Sequence, residues 1–322
     1  MAVHIFITNE MNFNTCKERG IVAIGRSIPE GRTFDALLSR VGAIKEDDYI
    51  LMYVMDKKQL HGVWKADGYP FYDETLIWED GIYPFRCRIK TSEYEFDIPL
   101  KRDDITDLCN TGLLWTWAPK RPDGTANSMF SMSENEFNIL IAEFLKLNPY
   151  KNNKWRIYSP VPYHTPNISN MIHINDKGKP SWEFSVMTLL VQAYNQHKYQ
   201  NIFGNYNDFL SYVPTSLNTE MDFLLMFYHP AQKQVVLSYD IVEVKNDKFK
   251  IDGLKQLIGY ESWFLQKKVS GDHKMLRTTA IAPSFSDEVI EYVNKRAEVE
   301  EKTIKLVQFT YSKASGLDLK KL

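Results

Sequence analysis

The chain has 322 residues, of which 44% are hydrophobic and 25% charged, and its formal net charge is −2. These values are typical of a globular protein and exclude a disordered chain and a fibre. At about 150 residues per domain, the length predicts two domains. No apolar run reaches the ~18 residues that a membrane span needs, and the N-terminus lacks the pattern of an export signal. The three scattered cysteines, Cys16, Cys87 and Cys109, form neither a disulfide framework nor a zinc-binding pattern, so we expect a reduced, cytoplasmic protein.

Charge is unevenly distributed along the chain. Residues 1–148 hold 17 of the 39 Lys and Arg residues and 23 of the 41 Asp and Glu residues, which leaves 22 and 18 for residues 149–322. The N-terminal part is therefore acidic and the C-terminal part basic. A basic part suits a polyanionic partner, and an acidic part does not exclude one, because local patches set the electric field.

A proline-rich segment divides the chain. Residues 149–180 contain five of the 14 prolines, many asparagines and few periodic apolar positions. Proline fixes φ and lacks a backbone donor, so this composition disfavours both helices and central strands. We interpret residues 149–180 as an extended linker between a domain at 1–148 and a domain at 181–322.

The N-terminal part has aromatic and β-branched runs separated by Gly, Asp and Pro, a pattern typical of strands. The predicted strands are Tyr49–Val54, Gly62–Lys65, Phe85–Lys90 and Leu113–Trp117, and the predicted helices are Phe34–Arg40 and Glu134–Leu147. In the second helix, apolar residues recur at helical spacing from Phe137 to Phe144. Strands with two flanking helices predict a small β-barrel.

The C-terminal part has a different order of elements. The predicted helices are Trp182–Gln196, Gly253–Lys268 and Ser286–Glu298, and the predicted strands are Met221–Phe227, Gln234–Lys245, Thr278–Ala282 and Ile304–Thr310. Ser181 is the expected N-cap of the first helix. The resulting α-β-β-α-β-α-β order predicts a mixed sheet flanked by helices, so the whole chain is expected to be an α/β protein of two domains.

Acidic residues and a lysine lie on two consecutive predicted strands. Glu243 and Lys245 share one face of the second strand, because strand side chains alternate. If the two strands are neighbours, Asp222 reaches the same end of the sheet. Two carboxylates and the Val244 carbonyl would form a hard oxygen site suited to Mg²⁺, and Lys245 could orient or deprotonate an attacking water and stabilise charge on a phosphate.

A Glu-x-Lys pattern alone has an ordinary explanation, a solvated ion pair at the end of a strand. The chain contains similar patterns at Glu300/Lys302 and Asp56/Lys58. At 243–245, however, an apolar strand leads directly into the pattern, the preceding strand carries Asp222, and residues 255–260 open a helix. Asp240 should face away from Glu243 by strand parity, which favours a structural role.

These residues resemble the PD-(D/E)XK nuclease superfamily and, within it, the C-terminal domain of the NucS-type endonucleases. The resemblance covers about residues 181–312. It implies that Asp222 and Glu243 are metal ligands, together with the Val244 carbonyl, for Mg²⁺ or Mn²⁺. It also implies that Lys245 is the catalytic lysine. By the same resemblance, Gln256 and Tyr260 are auxiliary residues and Glu183 is an outer carboxylate. Such nucleases often have a further acidic residue after the Asp strand, where this chain has Met226 and Phe227.

The N-terminal part has a dense aromatic signature in residues 61–65, 69–78 and 83–89. This signature resembles the EVE domain, a YTH relative of the PUA-like superfamily, over about residues 1–147. The resemblance implies a small barrel that holds a modified nucleobase in an aromatic pocket. A flipped base needs flat walls for stacking. The candidate walls are Trp64, Tyr72, Trp78, Trp115 and Trp117, although each could equally be a core residue. Many relatives have a tryptophan near residues 20–25, where this chain has none.

A base-reading domain joined to a nuclease domain predicts a modification-dependent DNA endonuclease of the type IV restriction kind. Two alternatives stay open at this point: a NucS-like repair or structure-specific endonuclease, and a binding protein for modified nucleic acid whose nuclease half is inactive. A homodimer is expected, because a double-strand break needs two such sites and two-fold symmetry places them on antiparallel strands. Trp263 and Phe264 are candidates for the dimer surface only if they lie outside the core.

Overall fold

The structure is a computed structural model that describes residues 2–94, 96–149, 168–300 and 302–322. The chain divides into two compact units, residues 1–171 and residues 172–322. The division falls inside the segment interpreted as a linker, of which residues 150–167 lie outside the described part of the chain.

Unit 1 is built on a curled, half-barrel sheet. Its strands are β1 (Val3–Thr8), β2 (Ile21–Ile24), β3 (Tyr49–Val54), β4 (Gln59–Ala66), β5 (Phe71–Tyr72), β6 (Phe85–Thr91), β7 (Leu100–Lys101) and β8 (Met129–Met132). Its helices are α1 (Glu10–Arg19), α2 (Gly31–Val41), α3 (Arg102–Asn110) and α4 (Glu134–Leu147). The main strand order is β2-β6-β4-β3-β1-β8, with β5 paired to β6 and β7 paired to β4. The β1–β3 pair is parallel and the others are antiparallel.

The core of unit 1 follows from strand alternation. The odd-numbered residues of β3, Tyr49, Leu51 and Tyr53, face one side of the sheet together with Val3 and Ile5 of β1. The apolar stripe of α4 packs on that side through Phe137, Leu140, Ile141 and Phe144. The predicted helix 134–147 and the predicted strand 49–54 are therefore confirmed with their predicted bounds.

The predicted strand Leu113–Trp117 is wrong. These residues form turns and irregular backbone, and Glu136 of α4 holds them in place. The Glu136 carboxylate accepts hydrogen bonds from the Thr116 N–H and hydroxyl, both at 2.8 Å, and from the Ser133 N–H and hydroxyl at 3.2 and 2.8 Å. The carboxylate of the buried Glu136 thus supplies hydrogen-bond acceptors to Thr116, a function that a neighbouring strand would otherwise have.

Unit 2 contains one six-stranded mixed sheet. Its strands are β9 (Asp208–Pro214), β10 (Glu220–His229), β11 (Gln232–Val244), β12 (Leu276–Ala282), β13 (Ile304–Ser312) and β14 (Gly316–Lys321). Its helices are α5 (Glu183–Asn195), α6 (Gln200–Phe203), α7 (Ile251–Lys267) and α8 (Asp287–Glu300). The order is β14-β13-β12-β11-β10-β9. The three central strands β11, β12 and β13 are parallel, and the outer pairs are antiparallel.

The predicted mixed sheet with flanking helices is confirmed, with β9, α6 and β14 as additional elements. The two added strands lie at the edges of the sheet, where a strand pairs on one side only. The predicted cap Ser181 is wrong. Helix α5 begins at Glu183 with Trp182 as its N-cap residue, and the Trp182 N–H donates to the Ser185 hydroxyl at 3.2 Å.

None of the helices in the described ranges is both long enough and apolar enough to cross a membrane.

Replacing Glu136 tests how much the irregular segment 111–118 depends on one side chain. We expect Glu136→Ala to lower the free energy of unfolding by about 2–4 kcal/mol, because it leaves buried donors of Thr116 and Ser133 without an acceptor. The matched control is Glu143→Ala on the same helix, where Glu143 makes an ion pair with the exposed Lys146; its effect should be below about 0.5 kcal/mol. Chemical denaturation measures both. Equal effects of the two variants would contradict this role.

Candidate active site

Two acidic residues meet where β10 and β11 stop pairing. The last paired residues are Phe223 and Val242, and Asp222 and Glu243 each lie one position beyond them. The Asp222 Oδ2 atom accepts a hydrogen bond from the Val244 N–H at 2.7 Å. A side chain of β10 thus replaces the next backbone contact with β11, and the two carboxylates lie at the same end of the sheet.

Lys245 joins this pair to a third carboxylate. Its backbone N–H donates to the Ile281 carbonyl of β12 at 2.9 Å, which continues the parallel pairing one residue past β11. Its Nζ donates to Glu243 Oε1 at 2.6 Å and to Glu183 Oε2 at 3.3 Å. Since Glu183 is the first residue of α5, the group brings together β10, β11 and α5. We call Asp222, Glu243, Lys245 and Glu183 the carboxylate–lysine cluster.

The cluster holds more negative charge than its single lysine balances. Removal from water raises the pKa of Asp222 well above its usual range, and the charges of Glu243 and Glu183 raise it further. Burial raises the pKa of Glu243 to about 7 in spite of Lys245. Although burial lowers the pKa of Lys245, the charges of Glu243, Asp222 and Glu183 raise it above its ordinary value. In the metal-free protein the lysine is therefore a cation, and the site would gain from further positive charge.

One oxygen of the cluster lacks a partner. Glu243 Oε2 is buried, and no protein group donates a hydrogen bond to it. Among the described residues, no three His, Cys, Asp or Glu side chains are arranged to hold a metal ion. Two carboxylates, Asp222 and Glu243, and the backbone carbonyl of Val244 remain as the oxygen donors. This set matches the hard oxygen ligands of Mg²⁺, which usually keeps several waters and needs few protein ligands.

Gln256 and Tyr260 of α7 hydrogen-bond to each other and not to the carboxylates of the cluster. Gln256 Nε2 donates to the Tyr260 hydroxyl at 2.7 Å, and that hydroxyl donates to the Glu220 carbonyl at 2.8 Å. Tyr260 is buried on α7, and Glu220 begins β10 two residues before Asp222. This chain of bonds positions the strand end that carries Asp222.

Asp240 lies on the opposite face of β11, as strand parity predicts. Its carboxylate accepts from the Thr279 hydroxyl at 2.8 and 3.0 Å and forms an ion pair with Lys305 at 3.4 Å. Burial raises the pKa of Asp240. Its partners are all structural residues of β12 and β13, so Asp240 does not belong to the cluster.

Unit 1 contains a separate cavity of about 350 Å³. It lies beside α1 and the ends of β1 and β2, and the aromatic side chains of Trp78 and Tyr83 form part of its wall. Polar groups in the lining include Asn12, Arg26 and Asn127. The segment 22–26 lines the cavity with small and aliphatic residues and one arginine.

Of the five predicted pocket aromatics, only Trp78 lines this cavity. Trp64 is buried and packs edge-on against Phe13 with ring centres 6.3 Å apart. Tyr72 packs against Phe34 and Phe85. Trp117 packs edge-on against Tyr53 and Phe130 of the α4-side core, and Trp115 is half-buried away from the cavity lining. None of these four residues is part of the lining of this cavity.

Sequence reasoning missed Asn12 in the cavity because it did not predict α1. The available signal was Asn9, which is a good N-cap residue and whose side chain accepts from the Asn12 N–H at 2.8 Å. Tyr83 belongs to the aromatic signature of residues 83–89 but was not singled out as a wall of the pocket. Arg86 serves an internal carboxylate. It is fully buried and forms an ion pair with Asp73 at 2.6 Å.

The elevated pKa of Glu243 predicts how stability depends on pH in the metal-free protein. A carboxyl group whose pKa rises from 4.5 to about 7 on folding favours the folded state while it is protonated. This contribution is fully present below pH 4.5 and is lost as the pH rises through 7. Between pH 4.5 and 7 we expect the free energy of unfolding of the wild type to fall by about 1–3 kcal/mol more than that of Glu243→Gln. The measurement is the melting temperature of each protein as a function of pH, with Glu143→Gln as the control. If the melting temperatures of the wild type and of Glu243→Gln changed in parallel with pH, the raised pKa of Glu243 would be refuted.

The solved structures that are similar to this chain include two weak matches. No protein-family model and no curated protein matches the chain. A structure of the EndoMS–dsDNA2 complex is similar with a TM-score of 0.24 and 16% identity, over 34% of this chain and 42% of that one. A complex of the YTH domain-containing protein mmi1 with RNA is similar with a TM-score of 0.31 and 16% identity, over 46% of this chain and 87% of that one. The chain thus spans less than half of the EndoMS chain, and function has to be inferred from the geometry of the two units.

Proposed function

We propose that the protein is a metal-dependent endonuclease that hydrolyses phosphodiester bonds of DNA. The observation that carries the proposal is the carboxylate–lysine cluster, in which Asp222 and Glu243 converge at one strand end beside Lys245 and a buried Glu243 oxygen lacks a partner. A structural ion pair has no need of a second buried carboxylate, since unbalanced buried charge is destabilising. Such an arrangement is typical of a site that binds a cation and a substrate.

Asp222, Glu243 and the Val244 carbonyl are the residues that would hold Mg²⁺ or Mn²⁺. A bound divalent ion supplies positive charge to the phosphate oxygens and lowers the pKa of a coordinated water. Lys245 is held by two carboxylates, and its protonated ammonium can orient a water and stabilise charge on the phosphate. Glu183 accepts from Lys245 and so fixes the direction of the ammonium group.

The cavity of unit 1 supports a nucleobase as the recognised feature. At about 350 Å³ it can hold a flipped nucleobase, and Trp78 offers a flat face for stacking. We propose a modification-dependent endonuclease of the type IV restriction kind, in which unit 1 reads the base and unit 2 cleaves. Two alternatives make different predictions. A NucS-like repair endonuclease would cleave distorted DNA regardless of modification, and a binding protein would not cleave at all.

We also propose that the protein acts as a homodimer, since one such site cuts one strand. Of the two aromatic candidates for the dimer surface, Phe264 is fully buried in unit 2 and is excluded. Trp263 is half-buried, and its indole N–H donates to the Ser216 hydroxyl at 2.6 Å.

Cleavage should depend on the cluster. We expect Asp222→Ala and Glu243→Ala to abolish cleavage while the fold remains intact, because each removes one of the mutually repelling carboxylates. Lys245→Ala should lower kcat about 10²- to 10³-fold. The measurement is digestion of matched modified and unmodified phage DNA, with Mg²⁺ or with EDTA. The control is Asp252→Ala, whose carboxylate is exposed on the first turn of α7. If Asp222→Ala or Glu243→Ala cleaved DNA at the wild-type rate, the cluster would be rejected as the active site.

Base recognition should depend on Trp78. Loss of a stacking wall costs about 1–3 kcal/mol, so Trp78→Ala should weaken binding of the modified DNA about 5- to 150-fold. Trp117→Ala is the matched control, because Trp117 lies outside the cavity lining. Equilibrium binding in EDTA, below the melting temperature of each variant, measures the effect. Equal weakening by both variants would argue against this cavity as the recognition site.

A further inference from the structure

We propose that the sugar–phosphate backbone of the DNA passes directly over Gly259, on the exposed side of α7. This inference rests on the proposed nuclease function and adds to it the surface of unit 2 that receives the substrate. Three features of α7 lead to it: a glycine that neither packing nor backbone conformation requires, a row of lysines and an aromatic ring beside that glycine, and contacts between this side of the helix and the strand end that carries Asp222.

Gly259 lies in the interior of α7, where glycine is unfavourable because it loses the most backbone freedom on folding. A Cβ atom at this position would meet no atom of the described residues within 4 Å, so packing does not exclude a larger side chain. Its φ is not positive, so the backbone does not require glycine either. The residue is partly exposed, and another molecule can therefore reach it.

Other glycines of the chain have the reasons that Gly259 lacks. A Cβ atom at Gly253 of the same helix would lie 3.1 Å from the Phe249 ring, which would have to move. The remaining glycines with open space at the Cβ position have a positive φ, which favours glycine; they are Gly112, Gly124, Gly178, Gly271 and Gly316. A further use of glycine is to let another molecule approach the backbone closely. This use accounts for Gly259.

Gly259 belongs to a row of residues spaced four apart, which therefore share one side of the helix. Lys255 and Lys267 lie at the two ends of the row and are exposed, and Trp263 follows Gly259 and is half-buried. At 1.5 Å per residue the row is about 18 Å long. We call these four residues the Gly259 row. It offers two cations to phosphates and an apolar ring to the sugars between them.

The acidic residues of α7 leave the charge of this side favourable to a polyanion. Glu261 is buried and forms an ion pair with Arg296 at 2.8 Å, so it is not part of the exposed side. Asp252 is exposed on the first turn, and its carboxylate is 3.9 Å from Lys255 Nζ. Lys267 lies at the opposite end of the helix from this carboxylate. Lysines contribute to DNA affinity by displacing the counterions of the phosphates.

The Gly259 row adjoins the candidate active site. The Trp263 indole N–H donates to the Ser216 hydroxyl at 2.6 Å, in the turn that joins β9 to β10. The Tyr260 hydroxyl donates to the first backbone carbonyl of β10 at 2.8 Å. Burial raises the pKa of Tyr260, and the charges of Glu243 and Asp222 raise it further, so the carboxylates lie close to this hydroxyl. A DNA strand with one phosphate at the carboxylate–lysine cluster would thus continue over the exposed side of α7.

Substitution of Gly259 should change stability and DNA binding in opposite directions. Gly259→Ala places a methyl group in open space and removes an unfavourable helix residue, so the melting temperature should rise by about 2–4 °C. The same methyl group occupies space that the DNA would fill, so affinity for duplex DNA should fall about 5-fold. The larger Gly259→Gln should lower that affinity by up to about 150-fold. A merely structural role would not separate the two readouts.

Binding is measured with the full-length protein. A labelled duplex of unmodified DNA is titrated by fluorescence anisotropy in EDTA, which prevents cleavage. The matched control is Asn294→Ala, which replaces an exposed residue of α8 by a better helix former. It should raise the melting temperature and leave the affinity unchanged. With Mg²⁺, the Gly259 variants should raise KM for DNA and leave kcat within about 3-fold, because Gly259 does not contact the reacting phosphate.

The salt dependence of binding tests the ends of the row. Lys255→Ala and Lys267→Ala should each reduce the slope of log affinity against log salt concentration by about 1, because each removes one contact with a phosphate. Lys295→Ala, which removes an exposed lysine of α8, is the control and should leave the slope unchanged.

Three results would overturn the proposal. The first is wild-type affinity of Gly259→Gln for the duplex. The second is equal weakening of binding by Asn294→Ala and Gly259→Ala. The third is a change of oligomeric state of Gly259→Gln in sedimentation with unchanged DNA affinity, which would assign this side of α7 to a second copy of the chain.

Failure of the proposed function gives a different result. A wild-type protein that binds the duplex but does not cleave it with Mg²⁺ would reject the nuclease, whereas weaker binding by the Gly259 variants would still support the surface. Absence of duplex binding by the wild type would reject the surface, whatever the outcome of the cleavage assay.

Discussion

The hydrogen bond from the Val244 N–H to the Asp222 carboxylate is the contact on which the candidate active site depends. It ends the regular pairing of β10 and β11 and ties a side chain of one strand to the backbone of the next. Because of it, Asp222 and Glu243 lie at one end of the sheet, and Lys245 follows immediately as the chain leaves β11. The remaining parts of the site are arranged around this contact: α5 supplies Glu183, and α7 holds the start of β10 through Tyr260.

This arrangement stores electrostatic repulsion in the metal-free protein. The pKa values of Asp222 and Glu243 are raised because burial removes water and the carboxylates are close together. The surrounding structure has to oppose that repulsion, and the apolar packing of unit 2 does so: Val244, Leu257, Ala280 and Ile281 around the strand end are all fully buried. The stability of this apolar core offsets the repulsion between the buried carboxylates. Such costs to stability are common at functional sites.

The sequence predicted the C-terminal unit better than the N-terminal one, for physical reasons. Strands β10 and β11 are long and apolar and lead directly to Asp222 and Glu243, so their pattern and the position of the acidic residues could be seen together. In unit 1, aromatic rings such as those of Trp64 and Trp117 are equally suited to a hydrophobic core and to the wall of a pocket. The residue type alone does not show which of these two positions a ring occupies. The segment 113–117 was predicted as a strand because it contains aromatic and β-branched residues, whereas its backbone is irregular and the Thr116 N–H donates to Glu136. The cavity residue Asn12 was not predicted, because α1 was not predicted and because its side chain contacts Asp80, which is 68 positions away in the chain.

Strand β11 carries one carboxylate on each face of the sheet, and each has its own cation: Lys245 for Glu243 and Lys305 for Asp240. A slip of one residue in the pairing of this strand would turn every side chain to the opposite face. Asp240 would then be buried without Lys305, which lies on β13, whereas Lys245 would move together with Glu243. Val242 and Val244 would leave the apolar layer that they occupy. A misregistered sheet is therefore less stable than the native one, and the Asp240–Lys305 pair helps to select the alignment of the central strand.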